Sequence, residues 1–331
     1  MKKAIFNIIS VPLVLGLSVS GFYLFSENMR KTNSTSMNYS SSSALTANKT
    51  IDDKSVVEDN AFETNNGNNS FNYELEQAVD YNIATKEDIF YMMLNTIFYF
   101  DKVSGTAIFK TDNPQILNVD EFQCSLHEAQ EYSHVTQRYI EDEKNISIST
   151  LSPPITEFML YSQGVDEIIV NSNEKTYSIH PGGAITLDNV IKQTNENRLS
   201  NDENGIPVYN MLTTPTNIFS ASMCIQPQEI TFGYLSNFDL WNIVDVITLN
   251  GRTCYLIRGE AEEEYGSKFN VKNFEFIVDT QTGVLIKYEG YDCNGNISDF
   301  MYTENIEFEG NANSVNLFDE NDFIDYSIIP Y

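Results

Sequence analysis

Apolar positions recur at two different periods along this chain, and the period changes near residue 100. In "TKEDIFYMMLNTIFYF", Ile89, Met93, Ile97 and Phe100 recur at helical spacing, and Phe90, Leu94 and Phe98 widen the stripe. Thr85, with Asp88 three residues on, makes a capping box, so a helix that packs on something large is predicted here. From Val103 the period is two. "VSGTAIFKT" reads as a strand, and "EYSHVTQRYI" alternates Tyr132, His134, Thr136 and Arg138 against Ser133, Val135, Gln137 and Tyr139. "EIIVNSNEKTYSIHPGG" predicts a hairpin around Asn171–Glu174 that stops at the Pro-Gly-Gly, and "SNDENGIP" a loop. "TPTNIFSASM" and "QPQEITFGYL" predict two short helices, the second with Pro227 at its first turn. "ITLNGRTCYLIRGEA", "VKNFEFIVD", "GVLIKYEGYD" and "ISDFMYTENIEFEG" then follow as neighbouring strands with short turns, which argues an antiparallel meander.

The stretch "FEFIVDTQTGVLIKYEGYDCNGNI" fixes which side of that meander is apolar. A turn near Gln281 pairs Phe274 with Tyr288, Phe276 with Ile286 and Val278 with Val284. A loop near Tyr265 pairs Phe274 with Leu256 and Phe276 with Cys254. Directly opposed residues share a face. One side is therefore expected to carry Cys254, Leu256, Phe274, Phe276, Val278, Val284, Ile286 and Tyr288. The other is expected to carry Thr253, Tyr255, Ile257, Glu275, Ile277, Leu285, Lys287 and Glu289, with Glu275 across from Lys287. The apolar face must be covered by the chain's own helices, or by those helices plus a ligand.

The N-terminus follows neither period. Lys2 and Lys3 precede residues 4–25, which carry no charge. At about 1.5 Å per residue that run spans roughly 33 Å as a helix, enough for a bilayer core. It reads either as a cleaved secretory signal or as an uncleaved signal-anchor; the bulky Phe22-Tyr23-Leu24-Phe25 and the length of the run favour the anchor. Residues 26–70 are Ser/Asn-rich and polar, a tether too hydrophilic to bury a core. The expected domains are thus 1–25, 26–70 and a folded 71–331 outside the cytoplasm, membrane-held or secreted.

Charge narrows the partners. Asp and Glu outnumber Lys and Arg by 47 to 19, a formal net charge of −28, which repels nucleic acid. Cys124, Cys224, Cys254 and Cys293 are widely spaced with no C-x-x-C pair, so they suit disulfides of an exported chain or buried thiols better than zinc. The inferred register separates Cys254 from Cys293 by about 23 Å, too far for a bridge between them. Bridges pairing Cys224 with Cys254 and Cys124 with Cys293, or Cys124 with Cys254 and Cys224 with Cys293, both stay open.

Catalytic signatures are missing. In "HEAQEYSH" the second histidine falls at i+7, not at the i+4 of a zinc-protease helix. His180 sits beside the Pro-Gly-Gly turn in a structural role. "EAEEEYG" reads as a solvated hairpin loop and "DCNGNISD" as an Asn-Gly turn, its glycine misplaced for a calcium loop. The sequence contains no G-x-S-x-G elbow, phosphate-binding glycine loop or dinucleotide fingerprint. No catalytic residue, metal or cofactor is expected.

Several segments in order are similar to one superfamily: "MLNTIFYFDKVSGTAIFKT", "QPQEITFGYLSNFDLWNI", "GRTCYLIRGEA" and the "V-D-x-x-T-G-x-L" hairpin with its aromatic second strand. Over about residues 75–325 the chain resembles the lipoprotein-carrier and RseB-like (LolA/LolB-type) proteins. The resemblance implies a mainly β (α+β) fold, a strongly curved antiparallel sheet or incomplete barrel wrapped around a few helices, here preceded by the N-terminal membrane helix. It implies a non-enzymatic binding protein whose concave apolar side takes a lipid, lipoprotein or hydrophobic peptide, lined here by Leu256, Phe274, Phe276, Ile286 and Tyr288. It also implies an alternative, an RseB-like regulatory or envelope-sensing partner with no small ligand. The carriers' arginine has no clear counterpart; Arg138 and Arg258 are candidates by strand location alone. A shuttle must diffuse, so a tether points toward a sensor, local acceptor or co-regulator.

Overall fold

The computed structural model describes residues 77–330, apart from 112–114, 142–145, 165, 182–185, 202, 204–206 and 213–220. The expected membrane helix and tether lie outside the described residues. Within them, no helix is long and apolar enough to cross a membrane.

Helix α1 (Lys86–Leu94) begins at the expected capping box: the Asp88 N–H donates to Thr85 Oγ1 and the Thr85 N–H to the Asp88 carboxylate. Its stripe does not continue as α-helix, because Asn95 leaves helical geometry and a 3-10 turn (Thr96–Phe98) carries Ile97 and Phe98 into the core. Strands β1 (Lys102–Lys110), β2 (Ile116–Ser125), β3 (Gln130–Tyr139), β4 (Thr156–Gln163), β5 (Asp166–Asn171) and β6 (Thr176–Pro181) form a first antiparallel meander. Helix α2 (Asn195–Arg198), the two-strand ribbon β7 (Leu199–Asn201) and β8 (Pro207–Tyr209), α3 (Ser222–Ile225) and α4 (Gln228–Leu235) follow. Pro227 is the N-cap of α4, one position earlier than its sequence suggests. The second meander is β9 (Trp241–Leu249), β10 (Arg252–Glu260), helix α5 (Glu263–Phe269), β11 (Asn273–Asp279), β12 (Leu285–Tyr291) and β13 (Ile297–Phe308). The last strand is β14 (Ser327–Ile328).

β1 and β13 pair antiparallel, Val103 opposite Phe308, and this seam fuses both meanders into one curved, unclosed sheet. Its twelve strands run β14-β6-β5-β4-β3-β2-β1-β13-β12-β11-β10-β9. One face carries α1, α3 and α4 in the main core. On the opposite face, the segment around Ile148 and Leu151 covers Ile108, Leu117, Val119 and Phe300. Farther along, the C-terminal segment crosses the same face as a strap. Its Asn313 and Asn316 N–H groups donate to Ser104 Oγ and Gln123 Oε1. Phe318 and Phe323 then stack at 5.1 Å and pack on Tyr161 and Tyr177. The strap ends as β14, a parallel strand added to the edge of β6.

One reading changes, and for the cysteines the free-thiol alternative is the one met. The acidic run over 260–266 is not a hairpin loop, since Glu263 onward forms α5. The Asn270 cap, at φ +54°, ends that helix in the left-handed region that asparagine tolerates. The four cysteines are free thiols, three buried and Cys293 exposed, so neither open bridge pattern forms. The Asn-Gly turn is present: Gly295 sits at φ +82°, and its N–H and that of Asp292 close the loop onto Asp292 and Asn296.

Candidate functional site

Strand β11 carries the predicted surface as expected. Phe274, Phe276 and Val278 share the helix-bearing face with Ile286 and Tyr288 of β12, all nearly inaccessible to solvent. The β11–β12 register is slipped by two from the expected one, Phe276 opposite Tyr288 and Phe274 opposite Gly290. An even slip preserves facing. A bulge between Ile277 and Val278 brings Leu285 as well as Ile286 into the core.

β10 is a different matter. Phe276 lies opposite Ile257, and Val278 opposite Tyr255, an odd slip of three. An odd slip turns every side chain to the other side. Tyr255 and Ile257 therefore join the apolar face, while Leu256, opposite Ile277, points away from it and is half-buried. Leu256 does not line the surface assigned to it. Helix α5 is the physical cause: it consumes residues that a plain loop would have spread symmetrically about Tyr265.

The chain itself covers the apolar face. The Tyr234 ring of α4 sits 4.9 Å from Phe274, 5.6 Å from Phe276 and 5.5 Å from Tyr288, between ring centroids. Phe90 of α1 packs edge-on against Phe232 of α4 at 5.9 Å. Phe276 is 0 % exposed and Tyr288 1 %, so this packing leaves almost no accessible surface on either.

Polar bonds pin the plug at its ends. The buried Arg198 donates to Leu94 O and Gln228 Oε1, each within 2.7 Å, and to Asn210 O. It has no carboxylate among these partners, and burial lowers its pKa to about 10. Thr96 Oγ1 donates to Ile225 O at 2.6 Å, and Trp241 Nε1 to Leu235 O at 3.0 Å. Lys86 Nζ donates to Phe238 O. The tyrosines of the plug are strongly shifted: burial pushes Tyr234, Tyr265 and Tyr288 far above the usual phenol range. They stay neutral, so they pack as apolar bodies whose hydroxyls seek partners.

The other side of β10–β13 is a charged lattice. Glu275 lies in register between Arg258 and Glu289, not directly across from Lys287. Arg258 Nε reaches it at 2.8 Å, and Lys287 Nζ reaches Glu289 at 3.0 Å. Burial opposes ionisation of Glu289, but hydrogen bonds from Tyr291, Tyr302 and Lys287 hold its carboxyl below the usual range. Arg138 also lies on this outer side, donating to Thr136 Oγ1 at 3.0 Å. Neither candidate arginine reaches the apolar face.

A polar row went unnoticed in the sequence. The registers of β3 to β6 align Glu131, Ser162, Glu167 and His180 across four strands on the helix-bearing side, all buried and all with partners. The alternation of β4 and β5, read strand by strand, would have found it. His180 Nε2 lies 2.7 Å from Ser178 Oγ. His134 is on the opposite side, its Nε2 2.6 Å from the Glu157 carboxylate. Among the described residues, no group of three or more His, Cys, Asp or Glu side chains is placed to hold a metal ion.

No protein-family profile matches the chain, and no curated protein matches it. Solved structures do. One is the complex of MucA and MucB from Pseudomonas aeruginosa, at 12 % identity and TM-score 0.35, covering 72 % of this chain and 60 % of that one. A second is an uncharacterized conserved protein from Thermus thermophilus, at 5 % identity and TM-score 0.32, covering 74 % and 98 %. A third is a LolA superfamily protein from Nitrosomonas europaea, at 8 % identity and TM-score 0.21, covering 68 % and 94 %.

Proposed function

We propose that this chain is a non-enzymatic extracytoplasmic partner protein that acts by binding another polypeptide, and that its apolar half-barrel is a self-filled scaffold, not a carrier cavity. The observation that supports this reading is the plug. Four residues expected to meet a ligand, Phe274, Phe276, Ile286 and Tyr288, are each at most 2 % exposed beneath the chain's own helices. Burying each such side chain is worth about 1.5–3 kcal/mol. Opening the face to an acyl chain forfeits that packing and also strips the Arg198, Thr96 and Trp241 bonds from the helix ends. The apolar run at residues 4–25 fits a membrane-held or secreted chain, and a held chain suits a local regulator better than a shuttle.

Native mass spectrometry of the detergent-extracted full chain tests this. The expected result is the mass of the bare polypeptide. A stoichiometric lipid or acylated species that survives extraction would overturn the reading and make the Phe276 face a carrier wall.

A further inference from the structure

We infer that the outer edge of β9 is a docking edge, taking an extended partner segment of alternating aliphatic and basic residues by strand addition. This rests on the reading of the chain as a polypeptide-binding protein and names the surface it uses.

Among the described residues β9 is the terminal strand of the sheet, paired on one side only, with β10. It runs for nine residues, "WNIVDVITL", longer than most edge strands leave open. Natural edges are guarded by lysine, proline, shortness or a bulge. β9 has neither lysine nor proline, and its single charge is Asp245. Val244 is 48 % exposed and Val246 38 %, both large aliphatic side chains left in solvent. The one guard of that kind is a bulge: Ile257 pairs with Ile243 and Leu256 with Asp245, so Val244 is the extra residue, and pairing is regular from Asp245 to Leu249.

The other end of the same sheet indicates what such an edge accepts. β6 is covered there by β14, whose Ser327 and Ile329 N–H groups donate to Lys175 O and Tyr177 O. An extended segment from far along the chain has been added as a strand. Among the described residues nothing does the same for β9.

The occupant follows from charge and from the valines. A second copy of a chain carrying −28 is repelled. An extended segment with basic residues is attracted to that field and to Asp245, while its alternate aliphatic side chains cover Val244 and Val246.

The test uses the full chain and two fluorescein-labelled octapeptides of alternating valine and lysine, one unmodified and one N-methylated at every backbone amide. The methyl groups leave charge and side chains intact and remove the N–H donors of both peptide edges. The unmodified peptide is expected to bind and to slow hydrogen exchange within 241–249, and the methylated one to bind about tenfold more weakly or worse. The double variant Val244→Lys with Val246→Lys is expected to lose binding by a similar factor with its circular dichroism unchanged. Equal binding of both peptides, protection elsewhere on the chain, or no binding overturns the inference. So does protection of β9 without peptide at a doubled mass, which makes the edge homotypic. None of these outcomes adds a lipid or acyl mass to the chain in native mass spectrometry, so the two failures are separable.

Discussion

The hydroxyls of Tyr234 and Tyr288 meet at 2.6 Å inside the plug, joining α4 to β12 where both rings are buried. Tyr288 also engages Asp299, whose carboxyl burial holds above its usual range. Tyr288→Phe removes the middle of this chain and strands the Tyr234 hydroxyl, for an expected cost of about 1–3 kcal/mol. Tyr234→Phe leaves Tyr288 its Asp299 partner and should cost less. Urea denaturation of both variants checks the order; equal costs would mean that the Asp299 contact contributes nothing.

Phe276→Asp places a carboxylate where the surroundings are Tyr234, Phe274 and Tyr288. Burying it unpaired costs several kcal/mol or forces its protonation. The variant should melt far below wild type at neutral pH and recover part of the loss in acid. A wild-type melting curve at pH 7 would mean that the face opens without penalty.

The turn between β11 and β12 presses on α1. Gly283 sits at φ +73°, and a β-carbon there would lie 2.7 Å from Met92 O. Gly283→Ala combines a left-handed residue, roughly 1–3 kcal/mol, with a clash against backbone. Expected is a loss of stability larger than that of Gly295→Ala, which has a similar φ but open space around it. Thermal melts of the pair separate strain from contact.

His134 gives the outer face a pH response. The carboxylates of Glu121 and Glu157 raise its pKa above the usual histidine value, against the opposing effect of burial. A raised folded pKa means that the stabilisation is complete below the unfolded value of about 6.5 and fades as pH rises through the folded one. Wild type should therefore lose melting temperature relative to His134→Gln as pH climbs above that value. A constant difference from pH 5 to 9 would remove the ion pair from the account.

Thiol labelling tests the redox state. Burial pushes Cys224 and Cys254 up to about 12, and Cys124 is raised as well, while Cys293 lies exposed in a turn. A neutral thiol reagent should modify Cys293 alone in the native protein and all four in denaturant. Any cysteine that stays unlabelled in denaturant without reductant would reveal a bridge.

Legibility in the sequence followed how locally each feature is determined. The capping box at Thr85, the alternation of β3 and β11 and the Asn-Gly turn depend on neighbours within a few residues, and the structure contains them. The facing of β10 depends on the parity of a connection, and parity is destroyed by one unrecognised helix: the acidic run over 260–266 reads as a solvated loop, but Glu263–Phe269 is helical. Leu256 and Ile257 exchanged roles for that reason alone. The plug was still harder to read, because α1 and α4 are short and apolar nearly all round, so nothing in their pattern says whether they shield the sheet or leave it open. The Glu131–His180 row needed three registers at once.

The seam between β1 and β13 sets the order in which this molecule can assemble. Each meander grows from hairpins between neighbours, and such contacts close quickly. Val103 and Phe308 meet only after almost the whole folded chain lies between them. Loop closure over that span must be met before the pairing returns anything. Until it closes, two half-sheets each expose a long raw strand, β1 on one and β13 on the other, both ready to pair with the wrong molecule. Refolding yield should thus fall with protein concentration, and the window of vulnerability lasts as long as the two half-sheets search for each other.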